Sequence, residues 1–169
     1  MAALGTGISL SSAPSLGKAK DAAKAIFGII DEPSKIDTRD EKGVKEVTKG
    51  EIEFVSTDFR YPSRNQNVLN GMKMKIEATK KVALVGHSGC GKSTMANLLL
   101  RLYDVTGGSL KIDGVDIRDY NVKALRKQIG IVMQEPLLFN TSIKENILYG
   151  NDQADDKKVR QVAQMANAL

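Results

Sequence analysis

Gly86-His87-Ser88-Gly89-Cys90-Gly91-Lys92-Ser93-Thr94 constrains this chain more than any other stretch. It fits the spacing G-x-x-x-x-G-K-[ST]. Before it runs Val82-Ala83-Leu84-Val85, a short apolar segment that predicts a strand covered on both faces. After it, Met95, Leu98, Leu99 and Leu102 recur at i, i+3, i+4 and i+7 and predict a helix. A glycine-rich bend between such a strand and such a helix turns successive backbone N–H groups inward. The helix adds its positive N-terminal end, so the bend suits an anion. Lys92 would reach the β- and γ-phosphates of a nucleotide, and the Ser93 hydroxyl would ligate Mg²⁺. A plain glycine turn before an ordinary helix is the weaker account, because both flanking patterns are present. His87 falls at a variable position and is read as a member of the loop, not as a catalyst.

Composition narrows the classes. With 41% hydrophobic and 27% charged residues, the chain is neither collagen-like nor wholly disordered. Its length suits one domain or two small ones. Cys90 is the single cysteine and His87 the single histidine, which excludes a disulfide framework and a multi-histidine metal centre. No apolar run is long enough to span a bilayer. Met1 to Leu10 lacks the basic start of a signal peptide. The formal charge of +5 would allow a nucleic-acid partner. However, Lys35, Lys42, Lys45, Lys49, Lys73 and Lys75 have no interleaved aromatics, and a solvated face explains them better.

Along the chain, Met1 to Pro14 has no clear period. Ala22, Ala25, Ile26, Ile29 and Ile30 then mark a helix that Pro33 ends. Asp31 to Gly50 is charge-dense, poor in large apolar residues, and reads as a linker. Glu51 to Val55 and Met72 to Ile76 alternate as half-buried strands. Leu110 to Asp113 and Val115 to Ile117 form a hairpin pattern around Gly114, and Ile129 to Met133 predicts another buried strand. Asp155 to Leu169 is helical, with Val159, Val162, Ala163 and Ala166 on one face. This order predicts an α/β domain with an antiparallel portion at its front.

A phosphate loop alone does not separate kinases, recombinases, GTPases and transport ATPases. Two residues do so here: Tyr61, in Phe59-Arg60-Tyr61-Pro62, and Gln134, after the apolar run at Ile129. Each alone reads as an ordinary turn or surface residue. Together with FRYPSR, VLNGMKMKI, KKVALVGHSGCGKSTMANLLLRLYD, GGSLKIDGVDIRDYN, LRKQIGIVMQEPLLFNTSIKENILYG and ANAL, they make residues 51 to 169 resemble the first half of an ABC transporter nucleotide-binding domain. The likeness is to the P-glycoprotein, or multidrug-resistance, type of exporter. SAPSLGKAKDAAKAIFGIIDEPSKID resembles the end of that exporter's last membrane helix.

The resemblance implies a P-loop NTPase (RecA-like) core, truncated, behind the antiparallel portion. It implies an end of a membrane or connecting helix over 1–32, a charged linker over 33–50, and the start of the nucleotide-binding domain over 51–169. ATP and Mg²⁺ would be the ligands. Tyr61 would stack on adenine, and Gly86, His87, Ser88, Gly89, Cys90, Gly91, Lys92, Ser93 and Thr94 would hold the triphosphate. Gln134 would join Ser93 at Mg²⁺ and touch the attacking water, alongside Lys92 in the catalytic role. Thr79 stands where relatives usually have a turn glycine.

Implied partners are a second nucleotide-binding domain, which completes each site, and the membrane domain, with this part on the cytoplasmic face of a membrane. The family's LSGGQ signature, acidic motif with its glutamate, and switch histidine would lie beyond Leu169, so the chain is expected to bind nucleotide without turning it over. Ile29-Ile30-Asp31-Glu32 imitates the acidic motif but ends a helical pattern before proline, and is rejected. A nucleotide kinase would need an acceptor site that the sequence does not offer. A nucleic-acid ATPase and an inactive truncated product are the remaining alternatives.

Overall fold

Strand β1 (Ile52–Phe59) is the backbone of the first structural unit, flanked antiparallel by β2 (Leu69–Ile76) and β3 (Gly107–Ile112), with β4 (Val115–Asp116) beyond β3. The computed structural model describes residues 13–151 and 153–168. The readings for Met1 to Leu10 and for Leu169 fall outside them. Phe54 pairs with Met74 and Leu110, but Thr57 pairs with Met72, so β1 carries one extra residue around Ser56. Ser56 takes a positive φ of 45° there. This bulge reverses the alternation, which is why Phe54 and Phe59 are both buried despite their odd spacing. Strict period-2 reading of Glu51 to Val55 stops where the bulge begins.

Helix α2 (Lys92–Leu99) brings Met95 and Leu98 into one cluster with Phe54, Phe59, Leu69, Leu110, Ile112, Ile117, Tyr120 and Leu125. Those last residues come from the sheet, a 3₁₀ turn over Ile117–Asp119, and α3 (Val122–Lys127). Asn121 caps α3, its side chain accepting from Ala124 N–H at 2.9 Å. Helix α1 (Ala13–Ile30) forms as its spacing predicts, and residues 18–30 are exposed. No described helix is long and apolar enough to cross a membrane.

The charge-dense segment read as a linker has little regular structure, yet it is not free. Its second half is a strap tied down by side chains far away in sequence. Asn121 Nδ2 donates to Asp40 O (2.8 Å) and Lys42 O (3.2 Å), and Val44 makes a parallel bridge with Tyr120. Gln128 accepts from Val47 N–H and donates to Lys45 O, both at 2.9 Å. Asp113 accepts from the N–H groups of Thr48, Lys49 and Glu51, each at 2.8 Å. Gly43, at φ +94°, has no alternative residue: a Cβ would lie 2.6 Å from Asp119 O. Charge density misled because these anchors are backbone groups, which composition does not register.

Two expected strands do not form. Residues 81–87 and 129–133 carry no ladder, and Val85 and Val132 are 92% and 97% exposed. A strand of this kind takes its hydrogen bonds from neighbours, and no described residue pairs with either run. Ile129 alone still packs against the core.

The second unit, Gly130–Leu169, holds α4 (Ile143–Leu148) and α5 (Asp156–Met165). Ser142 and Glu145 close a capping box at the start of α4. Asn146 fixes the preceding turn, accepting from Phe139 N–H at 2.8 Å and donating to Phe139 O at 3.1 Å. Lys144 pairs with Asp156 across the two helices, and Ala163 is the buried residue of α5. Neither α3 nor α4 was announced by apolar spacing, because each is short and set by its cap.

Two outcomes follow from this architecture. Bare apolar runs favour association, so the chain should self-associate and bind a hydrophobic dye. Val85→Lys or Val132→Lys should reduce both in sedimentation and dye titrations. The second outcome concerns Asp113. Burial pushes its carboxyl up, but the N–H groups of Lys49, Glu51, Gly50 and Thr48 outweigh that and hold it well below the usual range. Its folded value being depressed, its stabilisation is complete above the unfolded value of about 4 and is lost as pH falls below it. Asp113→Asn should therefore lower the melting temperature at neutral pH, with the gap narrowing below about pH 4.

Candidate functional site

The loop enters α2 through Gly91, the N-cap residue, whose φ of 98° is left-handed and whose helix start has no side-chain cap. A Cβ at Gly91 would meet Leu69 Cδ2 at 2.8 Å, so the turn is pressed against the start of β2. Because no side chain caps α2, its first N–H groups remain available to an incoming anion. Lys92 turns back over the loop, its Nζ donating to Gly86 O at 2.7 Å and His87 O at 2.8 Å. Cys90 Sγ lies 3.5 Å from the same ammonium. The loop is thereby closed on a cation, a fitting cradle for phosphate oxygens. His87 turns its own Nδ1 to Ser88 O at 2.9 Å, as expected of a loop member. Ser93 is exposed in the first turn of α2, whereas Thr94 is buried.

Tyr61 is drawn to this loop. Its hydroxyl lies 3.1 Å from Thr94 Oγ1, and Asn97 Nδ2 donates to it at 3.3 Å. Phe59 and Tyr103 meet the Tyr61 ring at 4.9 and 5.1 Å, inclined by 81° and 86°. Neither ring stacks parallel on it. The Arg64 guanidinium lies 5.8 Å from the ring centroid. The structure thus brings Tyr61 and residues 86–94 together from distant parts of the sequence. Gln134 belongs to the second unit, where it is exposed in a stretch without regular structure. Asn97 and Tyr103 escaped the sequence reading. Asn97 offered one signal, a poor helix former three residues after Thr94 within a leucine-rich helix.

Among the described residues no group of three or more His, Cys, Asp or Glu could hold a metal ion. Mg²⁺ needs no such group, since it is commonly held by one or two protein oxygens together with phosphates and water.

The family model described as ABC transporter matches residues 69–169. ABC transporter B family member 2 of Dictyostelium discoideum is 49% identical over 170 residues, covering 99% of this chain and 12% of that protein. Multidrug resistance protein pgp-1 of Caenorhabditis elegans is 45% identical, covering 90% of this chain and 12% of that protein. The chain therefore spans about an eighth of these relatives' length. A solved bacterial Atm1-family ABC exporter with ATP bound superposes with a TM-score of 0.79 at 34% identity, over 92% of this chain and 27% of that one.

Cys90 reports on the loop. Its thiol lies against Lys92 and Gly86, so a maleimide attached there should occupy phosphate space and abolish nucleotide binding. MgATP should slow the labelling, read by mass spectrometry, and Cys90→Ala should still bind. Labelling indifferent to MgATP would contradict this.

Proposed function

Since the chain belongs to the ABC transporter family, we propose that it binds ATP with Mg²⁺ as the nucleotide-holding part of an ATP-driven membrane exporter of the multidrug-resistance type. The observation that carries this reading is the tie between Tyr61 and the helix of the phosphate loop. It sets an aromatic ring beside the first turn of the helix that begins at the loop. Residues Gly86 to Thr94 hold the triphosphate, Lys92 neutralises its β- and γ-oxygens, and Tyr61 stacks on adenine. Ser93 would supply an oxygen to Mg²⁺, and the role given to Gln134 toward Mg²⁺ and the attacking water rests on the family pattern alone. Bound Mg²⁺ draws charge from the phosphates.

Hydrolysis belongs, on this reading, to the larger protein. It needs a base, and a second nucleotide-binding domain to complete the site. No residue of this chain is assigned as that base, so binding without turnover is the activity proposed for it. Its place is the cytoplasmic face of a membrane, joined through α1 to the membrane domain.

Titration with ATP tests the assignment. Lys92→Ala removes charge-assisted phosphate bonds and should cost on the order of 2 kcal/mol. Loss of stacking in Tyr61→Ala, worth about 1–3 kcal/mol, should weaken ATP binding by roughly 5- to 150-fold. Tyr61→Phe keeps the π-face and should fall between Ala and the parent. Unchanged affinity in both Lys92→Ala and Tyr61→Ala would refute the reading.

A further inference from the structure

The adenine role assigned to Tyr61 asks only for a flat ring, yet its hydroxyl is engaged twice, by Thr94 and by Asn97. Both partners stand on α2, three residues apart and therefore on one face of the helix that begins at the phosphate loop. Thr94 is 5% exposed, so its hydroxyl needs a partner inside the protein. The side-chain partner it has is Tyr61, whose own hydrogen bonds are supplied from α2. The ring's other neighbours, Phe59 and Tyr103, touch it edge to face. The hydroxyl contacts pin the far end of the side chain.

We propose that Asn97, with Thr94, is a positioning residue for base recognition: through the Tyr61 hydroxyl it fixes the stacking ring relative to the phosphate loop. The proposal rests on the nucleotide-binding reading above. Asn97 touches no ligand in it. The side chain acts through Tyr61, so its effect is confined to ligands that carry a base. A nucleoside triphosphate must satisfy the loop and the ring at once, and the shared helix keeps those two subsites at a fixed spacing. An unpinned ring would still stack, but only after losing its own freedom when the base arrives.

The test compares ATP with inorganic tripolyphosphate, which fills the loop and has no base. Alanine is the better helix former, so Asn97→Ala should keep α2 intact. It should weaken ATP binding roughly three- to tenfold, the scale of one hydrogen bond, and leave tripolyphosphate within about twofold. In a Tyr61→Phe background, Asn97→Ala should bring no further loss, because the hydroxyl it serves is gone. Equal losses for both ligands would show that Asn97 merely supports the helix and would overturn the proposal, as would additive losses in the double variant. Failure of the underlying reading registers differently: Lys92→Ala would then bind ATP and tripolyphosphate as well as the parent, and the proposal would fall with it.

Discussion

At Gly91 the chain must leave the loop in a left-handed conformation while lying against Leu69, where a Cβ would come within 2.8 Å. Any side chain there would push α2 off the start of β2. The position of α2 sets most of what surrounds the site. Its first turn has no side-chain cap, Met95 and Leu98 seal the core against the sheet, and Thr94 and Asn97 hold Tyr61. One backbone conformation thus serves the packing of the core and the placement of the loop together. It also explains why the loop keeps its form although the run Val82 to Val85 before it makes no ladder. The loop is supported from the helix side and by Lys92, which bonds the carbonyls of Gly86 and His87.

The sheet and the phosphate helix meet through polar contacts as well as apolar ones. Arg126 donates to Leu100 O and Arg101 O, both at 2.8 Å, closing the C-terminal end of α2 from α3. Tyr61 bonds the side chains of Thr94 and Asn97 along the same helix. Buried Arg101 donates to Tyr120 O at 3.1 Å and to Asp104 Oδ1 at 3.1 Å, so its charge is both paired and hydrogen-bonded. The helix is held by side chains from two other parts of the chain, Arg126 at its C-terminal end and Tyr61 along one face.

The strap from Asp40 to Glu51, where Val47 packs against the core, shows how side-chain-to-backbone bonds can order a segment poor in apolar residues. Asn121, Gln128 and Asp113 hold it at successive points. Fixing each backbone residue costs about 1–2 kcal/mol of entropy, and hydrogen bonds to the Asp113 carboxylate help offset it because a charged acceptor bonds more strongly than a neutral one. The approach to the sheet from Asp40 onward is therefore held, rather than left as slack chain.

The phosphate loop, α1, α2, the hairpin around Gly114 and α5 were legible in the sequence, because local spacing and capping chemistry decide them. The pattern Gly86 to Thr94 could be located without the fold, since its spacing is local and such a loop acts largely through its own backbone. Tyr61 could be named only by resemblance, and its partners Asn97 and Tyr103 not at all, because their meeting depends on how β1 packs on α2. The bulge at Ser56 and the docking of the strap were likewise hidden: both arise from bonds between residues far apart in the chain. The runs at Val82 and Ile131 illustrate the converse. Their composition specifies the apolar character of a buried strand, but a strand is a relation between neighbours, and only the tertiary structure decides whether a neighbour is there.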